Sequence, residues 1–179
     1  MSELASGLIA GLVAGIVSIV ALYINYRSSL DSISGWRSKL FDASSAERVT
    51  LKEVQVLRTA LRYEPTKEVQ EFTFAWISNI MIYYCDFISL KYFEYPETNL
   101  SFQEQEIIRA FIRCLLKNHW EHNASMVYSL KFLKGVSSRQ PAYIRETYDK
   151  ASEICKTLEQ DDEEYNFLEK LNNKMMGKE

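Results

Sequence analysis

With 179 residues, of which 47% are hydrophobic and 13% aromatic, the chain carries too much apolar side chain to be intrinsically disordered. Its formal net charge of −3 at pH 7 excludes the global basicity that is typical of nucleic-acid-binding proteins, so no nucleic-acid partner is expected. About 150 residues follow the first apolar segment, enough for one domain with a buried core.

The first apolar segment covers residues 4–24 and contains no charged side chain. As a helix, it would span roughly 31 Å, about the thickness of a bilayer hydrocarbon core. The flank before it has an acid, Glu3, and no Lys or Arg, and no cysteine lies nearby. A cleaved signal peptide or a lipoprotein leader is therefore not expected. The sequence predicts a single-pass transmembrane anchor over residues 1–27.

Charge after the anchor predicts its orientation. Arg27, Arg37 and Lys39 follow the apolar segment, whereas no base precedes it. By the positive-inside rule, we expect the N-terminus outside and the C-terminal part in the cytosol. The predicted location, given the anchor, is the cell membrane. We expect the lipid bilayer to be a partner, contacted at its interface by a set of aromatic and basic side chains: Tyr23, Tyr26, Arg27, Trp36, Arg37 and Lys39.

Small residues repeat along one face of the predicted anchor. Gly7, Gly11 and Gly15 form GxxxGxxxG, and Ser18 extends the same face. Such a face lets two helices approach closely, which favours self-association in the membrane as a dimer or a larger ring. The alternative is that glycine is simply frequent in membrane helices. The sequence thus predicts a homo-oligomer held by the anchor.

The remaining sequence predicts an all-α protein: a juxtamembrane helix and linker over residues 28–49, then a cytosolic bundle of five or six helices over residues 50–179. Apolar residues at helical spacing run to about residue 45, in a helix that can continue from the anchor: Leu30, Ile33, Trp36, Leu40 and Phe41. Thr50 and Glu53 then form a capping box that opens a helix ending near Tyr63.

A long helix is predicted from about residue 66 to residue 93. Its centre, residues 72–85, is apolar nearly all round, but the uncharged stretch ends at Glu71 and Asp86. That length fits a buried core helix better than a second membrane span.

Three further helix starts follow. Ser101 and Glu104 form another capping box, and its helix can bend or break at residues 118–123 before stopping at Gly135. Pro141 suits a first helical position, and the acids of residues 161–164 suit the start of a last helix.

No motif for a cofactor or a metal is recognisable, and none is expected. Cys85, Cys114 and Cys155 are widely spaced and predict buried free thiols. His119 and His122 lie three residues apart, but a metal site would need further ligands, such as Glu121 or Glu104.

The segment from Arg113 to His119, RCLLKNH, is similar to the Arg-x4–6-His signature of the HEPN ribonucleases. The resemblance implies an all-helical enzyme in which Arg113 and His119 act on a scissile phosphate, usually across a dimer. An arginine can clamp a phosphate and a histidine can transfer a proton near neutral pH. Cys114 departs from the family, which usually has a polar residue after the arginine. Alternatively, this spacing arises by chance in a helix.

Residues 33–41, ISGWRSKLF, resemble the post-anchor stretch of uncharacterised single-pass membrane proteins of Gram-positive bacteria and their phages. The resemblance covers about residues 4–62 and implies a setting in phage exclusion or defence, without an assigned activity. Alternatively, Trp36 and Phe41 pack on the domain while Arg37 and Lys39 meet lipid phosphates.

Together these features predict a membrane-anchored binding or regulatory protein with an unknown cytosolic protein partner. One alternative is the HEPN-like ribonuclease using Arg113 and His119. The other is an oligomerising membrane effector that permeabilises the bilayer.

Overall fold

The computed structural model describes residues 7, 11–23, 25, 35–127, 141–158 and 166–177, with only the backbone for residues 122–127. The described part contains seven helices and no strand, which confirms the prediction of an all-α helical bundle. The chain divides into two compact units, Met1–Ser38 and Lys39–Glu179.

The first helix, α1, includes residues 11–23, and residues 7 and 25 are also helical. The other six helices follow in chain order: α2 (Trp36–Ser45), α3 (Leu51–Ala60), α4 (Phe74–Lys91), α5 (Phe102–Val127), α6 (Ala142–Cys155) and α7 (Phe167–Met175).

All side chains of residues 11–23 in α1 are exposed. Eight of them are large and apolar: Leu12, Val13, Ile16, Val17, Ile19, Val20, Leu22 and Tyr23. Within the described residues, no helix combines the length and the apolar character that crossing a membrane requires. The predicted span over residues 4–24 lies partly outside the described residues, as do the predicted interface residues Tyr26 and Arg27.

α2 begins later than the sequence predicts. Gly35 has φ +59°, a left-handed conformation that a right-handed helix cannot continue through, so the helix starts at Trp36. Leu30 and Ile33, which were predicted to belong to it, lie outside the described residues. Leu40 is buried in α2, but Phe41 is 61% exposed, so the expectation that Phe41 packs on the domain was wrong.

α3 starts as predicted. The Glu53 carboxylate accepts the Thr50 backbone N–H at 2.8 Å, and the Thr50 hydroxyl accepts the Lys52 N–H at 3.3 Å, which confirms the capping box. The helix ends at Ala60, short of the predicted Tyr63, because Leu61 turns to an extended conformation with ψ 170°.

α4 begins at Phe74, well after the predicted start near residue 66. The Asn79 side chain accepts the Thr66 N–H at 2.9 Å and donates to the Thr66 carbonyl at 2.9 Å, which holds Thr66 in a loop. Phe72, with φ +60°, also leaves the right-handed helical region. The Thr73 hydroxyl then caps α4 by accepting the Trp76 N–H at 3.3 Å.

α4 is the centre of the core, which confirms the interpretation as a buried helix. Ten of its residues are buried: Trp76, Ile77, Ser78, Asn79, Ile80, Met81, Ile82, Tyr84, Cys85 and Ile88. Ring contacts with centroid distances of 5.6, 4.9 and 4.5 Å join it to three other helices: Tyr84–Phe111 to α5, Trp76–Tyr148 to α6 and Phe87–Phe167 to α7.

The later helices differ from prediction in their bounds. α5 is continuous through residues 118–123, so the predicted bend does not occur. Pro141 is the N-cap of α6 and not its first helical residue. Gly135 and residues 161–164, predicted to end and begin helices, lie outside the described residues.

Candidate functional site

The small-residue face of α1 is open. A Cβ atom built on Gly7, Gly11 or Gly15 would meet nothing within 4 Å. The Ser18 hydroxyl donates to the Ala14 carbonyl of its own helix at 2.9 Å. The open space leaves room for another helix to approach this face closely.

The residues predicted to meet the membrane interface differ in exposure. Tyr23 and Lys39 are exposed, whereas Trp36 and Arg37 at the start of α2 are half-buried. Trp36 and Arg37 thus have part of their surface covered already.

Arg113 and His119 lie on the same unbroken helix, α5. Six residues of an α-helix correspond to about 9 Å along the axis and about 120° around it. Arg113 is exposed and His119 is half-buried, so the helix alone does not bring the two side chains to one point. A shared phosphate would have to reach across two faces of α5 or be completed by another chain.

The described residues contain no cluster of three or more His, Cys, Asp or Glu side chains that could hold a metal ion. The side chain of His122 lies outside the described residues. Glu104, one of the acids that a site at His119 would need, is fully buried and engaged elsewhere. The suggestion of Glu104 as a ligand was therefore wrong.

Glu104 is the centre of a buried polar cluster at the α4–α5 connection. Its Oε2 atom accepts the Ser101 N–H at 2.6 Å and the Tyr92 hydroxyl at 2.6 Å. Lys91 Nζ lies 3.0 Å from Oε1 as an ion pair without hydrogen-bond geometry. The Ser101 hydroxyl accepts the Glu104 N–H at 3.2 Å, which confirms the second capping box. The sequence did not indicate Lys91 and Tyr92, because they come from the end of the preceding helix.

Opposing effects set the protonation of this cluster. Burial raises the pKa of Glu104, but the contacts from Tyr92, Lys91 and Ser101 lower it by more, so the pKa lies below its usual value. Burial and the bond to Glu104 raise the pKa of Tyr92 to about 12. At neutral pH the carboxylate is therefore charged and the phenol is a donor. The cluster holds the connection in place and already satisfies its own charge.

The cysteines behave as predicted. Cys85, Cys114 and Cys155 are buried, and none of the three forms a disulfide. Burial raises the pKa of the Cys85 thiol far above its usual value and that of Cys114 to about 11. A thiol with a raised pKa is a weak nucleophile near neutral pH, so these two cysteines contribute to packing.

Comparisons with protein-family models, curated proteins and solved structures gave no match.

The charge of the buried Glu104 carboxylate can be tested by its effect on stability. Because its pKa is lowered in the folded state, its stabilisation is present above about pH 4.3, the usual pKa of a glutamate, and is lost as the pH falls through the folded-state pKa. We expect Glu104→Gln to lower the free energy of unfolding at pH 7 by about 1–3 kcal/mol. The difference from wild type should shrink in acid. Urea unfolding at pH 7 and in acid, followed by tryptophan fluorescence, measures this.

The matched control is Glu64→Gln, since Glu64 is an exposed carboxylate on the α3–α4 loop. It should leave the unfolding free energy within about 0.5 kcal/mol of wild type. An equal loss at pH 7 and in acid for Glu104→Gln would contradict a charged Glu104.

Proposed function

We propose that the chain is a single-pass protein of the cell membrane whose helical domain binds a protein partner at the cytosolic face. The observation that carries the proposal is α1, where every side chain of residues 11–23 is exposed and eight are large and apolar. A helix that is apolar all round is stable inside a protein core or inside a membrane. No described part of this chain covers these side chains, which favours lipid as their surroundings.

Two further features support the cytosolic location of the domain. Arg27, Arg37 and Lys39 follow the apolar segment, in agreement with the positive-inside rule. The free, buried cysteines of the bundle suit a reducing compartment. The phage-exclusion setting rests on the resemblance of residues 33–41 alone.

The ionisable groups with shifted pKa values favour a binding function over a catalytic one. Glu104 and Tyr92 bond to each other, and burial is the largest cause of the raised pKa values of Tyr143 and Tyr148. These shifts arise from helix capping and packing, so they are explained without a reaction.

Topology can be measured with introduced cysteines, because the native cysteines are buried. Ser2→Cys should react with a membrane-impermeant maleimide in intact cells. Lys174→Cys, at an exposed position of α7, should react only after the cells are opened. Retention of the chain in the membrane pellet after alkaline carbonate extraction should accompany this pattern. The reverse labelling pattern, or release by carbonate, would contradict the proposal.

Self-association through α1 has its own test. A Cβ atom at Gly11 meets nothing within 4 Å. We therefore expect Gly11→Leu to be tolerated by the helix and to act on contacts with other molecules. We expect chemical cross-linking in native membranes to capture a defined oligomer of the wild type and to lose it in Gly11→Leu. Val13→Leu, on another face of α1, is the control and should retain the oligomer.

The same pair of variants distinguishes a tether from a permeabilising effector. A membrane potential that collapses on expression of the wild type, and recovers in Gly11→Leu, would replace the binding proposal by the effector. An unchanged potential with both chains supports a tether that oligomerises.

The HEPN-like alternative depends on Arg113 and His119. If the domain only binds, purified full-length chain should cleave RNA no faster in wild type than in Arg113→Ala or His119→Ala. Lys150→Ala, at an exposed position of α6, is the control. RNA cleavage that is lost in Arg113→Ala and in His119→Ala, and kept in Lys150→Ala, would establish the ribonuclease instead.

A further inference from the structure

Exposed apolar side chains are concentrated at one end of the helical bundle. Among the described residues outside α1, eight large apolar side chains are exposed, and four of them lie within residues 90–102, at the α4–α5 connection. Their exposed fractions run from 70% to 79%: Leu90, Phe93, Tyr95 and Phe102. We call these four residues the apical patch. Exposed apolar and aromatic clusters of this kind mark sites of interaction.

The patch is held on a rigid base. The Glu104 cluster fixes Lys91, the last residue of α4, together with Tyr92 and Ser101 at the two ends of the connection. The backbone of Leu100 also donates to the Val49 carbonyl at 3.0 Å, which ties the connection to the start of α3. A surface whose backbone is already ordered loses little conformational freedom when it binds.

Charges of both signs surround the patch. Glu94 and Glu97 are exposed within the connection itself. Contacts of Arg58 with Asp86 and of Gln55 with Ser89 show that α3 and α4 run antiparallel.

Continued by one turn, that register places Lys52, which is exposed, beside residues 92–93. Arg48, also exposed, precedes Val49 at the same end. Within the described part of the chain, no ion pair is formed by the bases Arg48 and Lys52 or by the acids Glu94 and Glu97.

We infer that the apical patch is a homotypic interface, which joins the helical domains of two copies of this chain. Two copies related by a two-fold axis present the same surface to each other, so that surface must be complementary to itself. An apolar centre with two bases and two acids at its edge has this property. An anionic bilayer surface would be met better by bases alone, since Glu94 and Glu97 would be repelled.

This interface is separate from the glycine face of α1, and it does not depend on the membrane proposal. Gly11→Leu tests contacts of α1, whereas Leu90, Phe93 and Thr98 belong to the helical bundle. A negative result for one of the two contacts therefore does not count against the other.

The first experiment places a cysteine at Thr98, an exposed position in the connection, and cross-links the full-length chain with a short bis-maleimide. We expect a cross-linked dimer with Thr98→Cys and none with Glu68→Cys, on the α3–α4 loop. Adding Leu90→Asp and Phe93→Asp should lower the dimer yield about tenfold or more, as for the centre of an interface. Adding Tyr63→Asp, at a position 88% exposed elsewhere, should leave the yield unchanged.

The second experiment exchanges charges, and it does not rely on the apolar substitutions. One variant carries Arg48→Glu and Lys52→Glu, and the other carries Glu94→Lys and Glu97→Lys, each with Thr98→Cys. Each variant alone should cross-link poorly because like charges meet, whereas a mixture of the two should restore the heterodimer. Equal yields with and without the apolar substitutions, or a mixture no better than its components, would overturn the inference. The inference would also be overturned if lipid vesicles, and not a second copy of the chain, shielded the residues of the apical patch.

Discussion

The burial of α4 is the constraint on which the rest of the described domain depends. This helix is apolar over most of its surface and buries ten residues, so most of its faces require a neighbour. α3 packs on it along the Arg58–Asp86 and Gln55–Ser89 contacts, and aromatic rings from α5, α6 and α7 contact its other buried residues. The helices α3, α5, α6 and α7 are thus arranged around α4.

Burial also requires that the buried polar groups of α4 find partners within the protein. Arg62 donates to the Ser78 hydroxyl at 2.6 Å and to the Asn79 side-chain oxygen at 3.0 Å. The Trp76 indole N–H donates to Asn172 Oδ1 of α7 at 2.9 Å. These bonds position α7 and the loop before α4, so the polar residues of the core select one arrangement among the many that apolar packing alone would allow.

The α4–α5 connection has an inner and an outer side. Inside, Glu104 binds Tyr92, Lys91 and Ser101, and this fixes the path of the chain. Outside, the apical patch presents apolar side chains that the described chain leaves uncovered. With the exposed apolar helix α1, the described residues present two apolar surfaces, and we propose lipid and a second copy as partners of α1 and a second copy as the partner of the patch.

The sequence by itself determined the helical class, both capping boxes and the buried cysteines, because these depend on residue spacing and on local hydrogen bonds. It also singled out residues 4–24 and the glycine face, since lack of charge and a repeat of four are visible without coordinates. Only the tertiary structure decided where α2 and α4 begin, because the left-handed Gly35 and the bonds of Thr66 to Asn79 cannot be read from helix periodicity. It also showed that Arg113 and His119 lie on different faces of the unbroken helix α5. It further showed that Tyr92 and Lys91 contact the Glu104 carboxylate. The apical patch likewise emerged only in three dimensions, since Leu90 and Phe102 are ordinary helix residues until the fold leaves them uncovered at the same end of the bundle.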